Sequence, residues 1–264
     1  MKKIIILAIA FVMCASVFVG CGKQGDLAAA KKAGKLIIGV TEYDPMNYME
    51  DGKWVGFDTE FAEAVCKKLG IEADFQVIDW DKKEALLNAG NIDCIWNGFT
   101  VNEDRKQNVD FSNTYLLNKQ VVVIDKVNAD TFTSTASLAD KMLSAEVESA
   151  GESAILSDEN LKKASYTASD KQMSALTQLL AGNYDAVVLD YTLAKANCGN
   201  GDFANLTIVD SIKLADEEYA IGFRKGSDLT AEINKIMAEL VSDGTLKKIA
   251  EKYDLTDLFD AANK

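Results

Sequence analysis

NIDCIWNGFTVNEDRKQNVDFSN, residues 91–113, is the segment around which the rest of the chain is best understood. Ile92, Cys94 and Ile95 make a short apolar, β-branched run, the composition of a buried strand. Asn97 and Gly98 interrupt it. Thr100 and Glu103 have the S/T-x-x-E spacing of a capping box, so a helical turn is expected to start at Thr100. A glycine backbone, a threonine hydroxyl, free N–H groups and Arg105 then converge at the end of a strand. Free N–H groups at a helix start carry partial positive charge. A guanidinium grips a carboxylate through two parallel bonds. The segment thus reads as a carboxylate clamp. Taken alone, Arg105 is better explained as a solvated surface residue, because a capping box is a weak signal; the context of the segment favours the clamp.

The segment resembles one family in residue type and spacing over about two dozen positions. Asn97-Gly98-Phe99-Thr100, then Glu103-Asp104-Arg105-Lys106, then Val109-Asp110-Phe111-Ser112 are similar to the signature of the family-3 solute-binding proteins of amino-acid ABC importers. Here Asp104 stands between the family's Glu and Arg types. A second signature is Val55-Gly56-Phe57-Asp58, followed by an amphipathic helix and Leu69-Gly70. A third is Tyr184-Asp185-Ala186-Val187-Val188-Leu189-Asp190. The resemblance extends from Leu36 to Tyr253.

Before these motifs, Lys2 and Lys3 precede an apolar run from Ile4 to Cys14, the pattern of an export signal. Phe18-Val19-Gly20-Cys21 resembles a lipobox, which would leave Cys21 lipidated. The alternative is an ordinary secretory signal cleaved nearby. Residues 1–20 are therefore read as a lipoprotein signal peptide and 21–34 as a polar tether. No later run is long and apolar enough to cross a membrane.

The chain has 264 residues and a formal charge of −13. Such an acidic balance argues against nucleic-acid binding, which needs a basic face. It also argues against resting on anionic lipid, which leaves lipidation as the anchor. Histidine is absent, so Ser-His-Asp catalysis, His-ligated metals and a histidine pH switch are excluded. Neither a metal nor a cofactor is expected. Of the five cysteines, Cys14 falls in the signal and Cys21 at the lipidation site. Buried free thiols are the expectation for Cys66, Cys94 and Cys198, with a disulfide between two of them left open.

The folded part opens with a strand over 35–40 and an irregular loop over 41–48. Asp51-Gly52 is a hairpin turn signal. Asp58 is placed to cap a helix whose apolar positions are Phe61, Ala62, Val65, Cys66 and Leu69, with Gly70 as its stop. A strand with alternating Ala73, Phe75 and Val77 leads to Trp80, and a further helix ends at Gly90. Strand, helix, strand, helix, strand means a parallel α/β sheet, with ligands expected beyond the carboxyl ends of its strands.

The resemblance implies a type II, two-lobed periplasmic-binding-protein fold with two crossing hinge strands, near 121–124 and 217–219. One lobe would comprise 35–119 plus 219–264, the other 120–218. It implies an extracytoplasmic, lipid-anchored and monomeric protein that captures an amino acid and delivers it to an ABC permease with its ATPase. Arg105, Thr100 and backbone near Gly98 would hold the ligand carboxylate from one side, with Asn97 among the ligand-binding residues. Ser149 and Gly151 would approach it from the other. Asp190 would hold the ammonium, or else serve only as a helix cap. Tyr43 and Trp80 would wall the pocket. In the first loop Thr41 or Glu42 stands where the family places an acid, so polar, acidic, basic and cystine-like ligands stay open. Two alternatives accompany this reading. One is a dehydratase-like enzyme with Glu42 or Glu148 as general acid; the other is a solute sensor acting through a receptor.

Overall fold

Two β-sheets divide the molecule into two lobes, seen in a computed structural model that describes residues 25–264. The expected signal peptide and lipobox fall outside the described residues. The first sheet runs in the order Glu72–Val77, Lys35–Val40, Cys94–Ile95, Gly222–Arg224, Val109–Phe111. Lys35–Val40 is parallel to both its neighbours, as a strand-helix-strand sequence requires. Gly222–Arg224 returns antiparallel between Cys94–Ile95 and Val109–Phe111.

The second sheet runs Leu206–Ile208, Leu116–Asp125, Ala186–Asp190, Met142–Glu146, Ser165–Ser169. Its long strand, Leu116–Asp125, starts beside the first lobe and ends inside the second. Asp216–Tyr219 pairs antiparallel with the beginning of that strand, from Lys119 back to Leu116. Two crossing segments that share one ladder bend together, which suits a hinge.

The helix Phe57–Leu69 buries Phe57, Phe61, Ala62, Val65 and Cys66 at helical spacing, and Gly70 closes it in the left-handed region. Gly56, not Asp58, occupies its N-cap; Asp58 lies in the first turn with its carboxylate turned inward. Apolar residues of the second sheet, including Val122, Ile124, Leu143 and Val188, form the core of the second lobe. Trp80, Ile92, Ile95, Phe99 and Val109 form a smaller cluster beneath the end of the first sheet. Cys66 and Cys94 are buried free thiols, and Cys198 is free and half-buried.

The reading of residues 21–34 as a polar tether is also corrected. Residues 26–33 are not a loose tether but the helix Asp26–Ala33. Ala30 is buried, the N–H of Leu27 donates to Asp228 (2.9 Å), and Asp26 pairs with Arg224 (3.1 Å). An apolar residue on one face and a charged anchor at the start hold the helix against the first lobe. The chain also ends in the helix Thr256–Ala262, which the sequence reading did not anticipate.

Candidate ligand-binding site

The turn after Cys94–Ile95 is held from behind. Gly98 has φ +56°, and its N–H donates to Asp58 Oδ2 (2.7 Å), which also accepts from the Tyr115 hydroxyl (2.9 Å). A Cβ at Gly98 would lie 2.7 Å from the Tyr43 ring. Glycine is therefore needed both for the backbone angle and for the close approach. Asn97 ties the turn to the first loop: its amide donates to Thr41 O (3.1 Å) and Asn47 Oδ1 (2.8 Å), and its oxygen accepts from the Thr41 hydroxyl (2.7 Å). Asn97 faces the cavity but works chiefly as a pin.

Thr100 does not cap the following helix. Its backbone bridges to Tyr219 and its hydroxyl donates to Glu217 (3.2 Å), so it remains extended. Asn102 takes the N-cap of Glu103–Asn108 instead and accepts from the N–H of Arg105 (2.8 Å). That short helix turns the buried Arg105 side chain inward over the Phe99 ring, 4.6 Å from its centroid. Nη1 donates to Thr100 O (2.8 Å) and Nη2 to Glu148 O (3.0 Å). The guanidinium has five N–H donors, so part of its fork is left for a ligand.

The opposite wall comes from the second sheet. Glu148 turns the chain with φ +57°, and Ser149 caps the helix Ala150–Ser157, accepting from the N–H of Glu152 (3.1 Å). Asp190 ends the strand Ala186–Asp190 and makes no side-chain cap to the next helix. Its Oδ1 accepts from Asn118 (2.9 Å) and Gln120 (2.6 Å), and its Oδ2 accepts from Gln172. Neutral amides surround this carboxylate. No cation lies within ion-pair distance of it among the described residues.

The electrostatics follow from burial. Asp190 is pushed up from the carboxylate range because water cannot reach it. Glu217, buried beside it and sharing the Asn118 and Gln120 amides, is raised to about 7 by burial and by the Asp190 charge. Glu146 is raised to about 8 for the same two reasons. Lys83 is depressed to about 8 by burial and by Arg105; it donates to Trp80 O (3.1 Å) and Glu148 O (3.3 Å).

Tyr43, Trp80, Asn97, Gly98, Thr100, Arg105, Ser149 and Asp190 line one cavity between the lobes. Gly151 does not. A Cβ there would lie 2.7 Å from Val188 O, so this glycine allows the helix to pack on the strand behind it. Ala150 faces the cavity in its place. In the first loop Thr41 is the lining residue, whereas Glu42 is exposed. The lining residues not singled out from the sequence are Glu146 and Gln172, with Thr41 left there as an alternative to Glu42. Glu146 had a signal: a carboxylate at the end of the otherwise uncharged run Leu143-Ser144-Ala145. Gln172 had none.

The fold and this inter-lobe cavity define a solute-binding protein. The chain belongs to the bacterial extracellular solute-binding proteins, family 3, whose model matches residues 36–256. It is 28% identical to the arginine-binding extracellular protein ArtP of Bacillus subtilis, over 96% of this chain and 98% of that one. It is 28% identical to the L-cystine-binding protein TcyJ of Escherichia coli, over 87% and 86%. The crystal structure of the ancestral amino acid-binding protein AncCDT-1, a precursor of cyclohexadienyl dehydratase, superposes with a TM-score of 0.79 at 28% identity, covering 87% of this chain and 99% of that one.

Proposed function

We propose that this protein is an extracytoplasmic receptor that captures a free amino acid between its lobes and passes it to an ABC permease with its ATPase. The observation that carries the reading is the pairing of Arg105 and Asp190. A buried guanidinium and a buried carboxylate face one cavity from opposite lobes, the charge pattern that complements a zwitterion. Arg105, with Thr100 and backbone near Gly98 and Ser149, takes the α-carboxylate. Asp190 takes the α-ammonium, and Tyr43 and Trp80 close the sides. In this reading residues 35–119 plus 219–264 form one lobe and 120–218 the other. Cleavage before Cys21 leaves a lipid on that cysteine, and a monomer hangs from the outer face of the membrane.

A thermal-shift screen of free amino acids tests this. A true ligand raises the melting temperature with concentration, because it binds only the folded state. If no amino acid raises it, the reading is wrong. A second reading is favoured by Glu146 alone: a carboxyl that stays protonated to about 8 is suited to a general acid, and the chain resembles a precursor of a dehydratase. Turnover of an amino acid after prolonged incubation would support that reading; unchanged ligand recovered from the complex supports the receptor.

A further inference from the structure

The zwitterion reading leaves one ionisable group in the cavity without a counterpart. Arg105, Asp190 and Glu146 are the ionisable side chains with acid or cationic character that line it. An α-carboxylate answers Arg105 and an α-ammonium answers Asp190. Glu146 remains, 4% exposed, at the end of the strand Met142–Glu146. No Lys or Arg lies within ion-pair distance of it among the described residues. Lys83 is near enough to favour its charge, but the Lys83 ammonium is held by the carbonyls of Trp80 and Glu148. Its other polar neighbour is the Gln172 amide, which already donates to Asp190 Oδ2 and accepts from the Asp190 N–H.

We propose that Glu146 is the side-chain selectivity residue of this cavity, and that the ligand is an amino acid whose side chain ends in a cation. The inference rests on the amino-acid receptor reading above and narrows it to one class. A buried carboxylate without a cation is costly, and a cationic side chain removes that cost only when bound. A neutral ligand leaves Glu146 to be buried charged or to take up a proton. An acidic side chain would add a negative charge next to Glu146 and Asp190. Trp80 and Tyr43 line the same cavity and supply apolar surface against which the methylene stem of a basic side chain can pack.

The test is calorimetry on the purified full chain with L-arginine, L-lysine, L-citrulline, L-glutamine and L-glutamate. Arginine and citrulline have nearly the same shape and differ in charge, so their ratio reads the preference for a side-chain cation, and its change in the Glu146 variant assigns that preference to Glu146. Arginine or lysine is expected to bind at least tenfold tighter than citrulline and glutamine, with glutamate weakest. In Glu146→Gln the arginine-to-citrulline ratio is expected to fall toward one, while Glu146→Asp retains a preference for the cation. The parent protein decides the matter even where a variant fails to fold. Citrulline, glutamine or glutamate binding the parent as tightly as arginine and lysine overturns this inference and leaves the receptor reading standing. Binding of none of the five overturns this inference, and if none of the twenty amino acids raises the melting temperature in the thermal-shift screen, the receptor reading falls with it.

Discussion

Arg105 donates through Nη2 to the carbonyl oxygen of Glu148, 3.0 Å away, so the side chain that faces the cavity also spans the cleft. Lys83 reaches the same oxygen at 3.3 Å. Under the proposed function the ligand clamp and the closing contact are therefore parts of one cluster, and a ligand that engages Arg105 would stabilise the arrangement in which the lobes meet.

Replacing Arg105 should separate these roles only partly. Charge-assisted hydrogen bonds contribute roughly 1.5–3 kcal/mol, and among the described residues Arg105 is the only cation lining the cavity. Arg105→Met is expected to weaken amino-acid binding by about a hundredfold, and Arg105→Lys by less but still more than tenfold, since an ammonium lacks the planar fork. Titration calorimetry reads the affinity and circular dichroism checks the fold. Unchanged affinity would remove Arg105 from the site.

Gly98→Ala should damage binding without touching any charge. Its left-handed backbone costs a residue with a Cβ about 1–2 kcal/mol, and that Cβ would meet the Tyr43 ring at 2.7 Å. The melting temperature is expected to fall by roughly 5 °C. Affinity should fall more than tenfold as the turn carrying Thr100 shifts. A variant that binds like the parent would show that the turn is not part of the clamp.

The Tyr43 hydroxyl bonds Thr192 Oγ1 (2.5 Å) and the Tyr219 hydroxyl (2.7 Å), joining the first loop to the second lobe and to a crossing strand. Tyr43→Phe removes both bonds, each worth about 0.5–1.5 kcal/mol. Affinity is expected to fall roughly three- to tenfold. Small-angle scattering should show less compaction than in the parent at the same ligand concentration. Equal compaction in both would assign Tyr43 to packing alone.

Stability should fall as pH rises through neutrality. Burial raises Glu146 to about 8, and Glu217 and Asp58 to about 7, against ordinary values of 4.5 for the two glutamates and 3.8 for the aspartate. Over that window the folded state holds protons that the unfolded chain has lost, so unfolding releases protons and stability declines with pH. The ligand-free melting temperature is expected to be higher near pH 5 than near pH 8. Glu146→Gln should flatten the slope. A melting temperature that climbs across this window would contradict the burial argument.

The lipobox reading has its own test. Cys21→Ser is expected to move the protein from the membrane to the soluble fraction on cell fractionation. Retention equal to the parent's would mean another anchor.

Local patterns in the chain determined the alternation of strands and helices, the Gly70 stop, the hairpin at Asp51-Gly52 and the Arg105 segment. These depend on residues close in sequence, where steric and periodic preferences act directly. Partner choice across long separations was decided only by the tertiary structure. Asp58 looked like a helix cap, yet its carboxylate accepts the Gly98 N–H forty positions away. Thr100 had the spacing of a capping box, but its bridge to Tyr219 keeps it extended and gives the cap to Asn102. Gly151 looked like a ligand contact and turned out to allow helix-on-strand packing. Residues 26–33 read as part of a polar tether, and a pair between Asp26 and Arg224, nearly two hundred positions later, docks them as a helix. Glu146 became a cavity residue only because the second sheet packs its end against the first lobe. Which polar groups lose water is a property of that closure, and no local pattern encodes it.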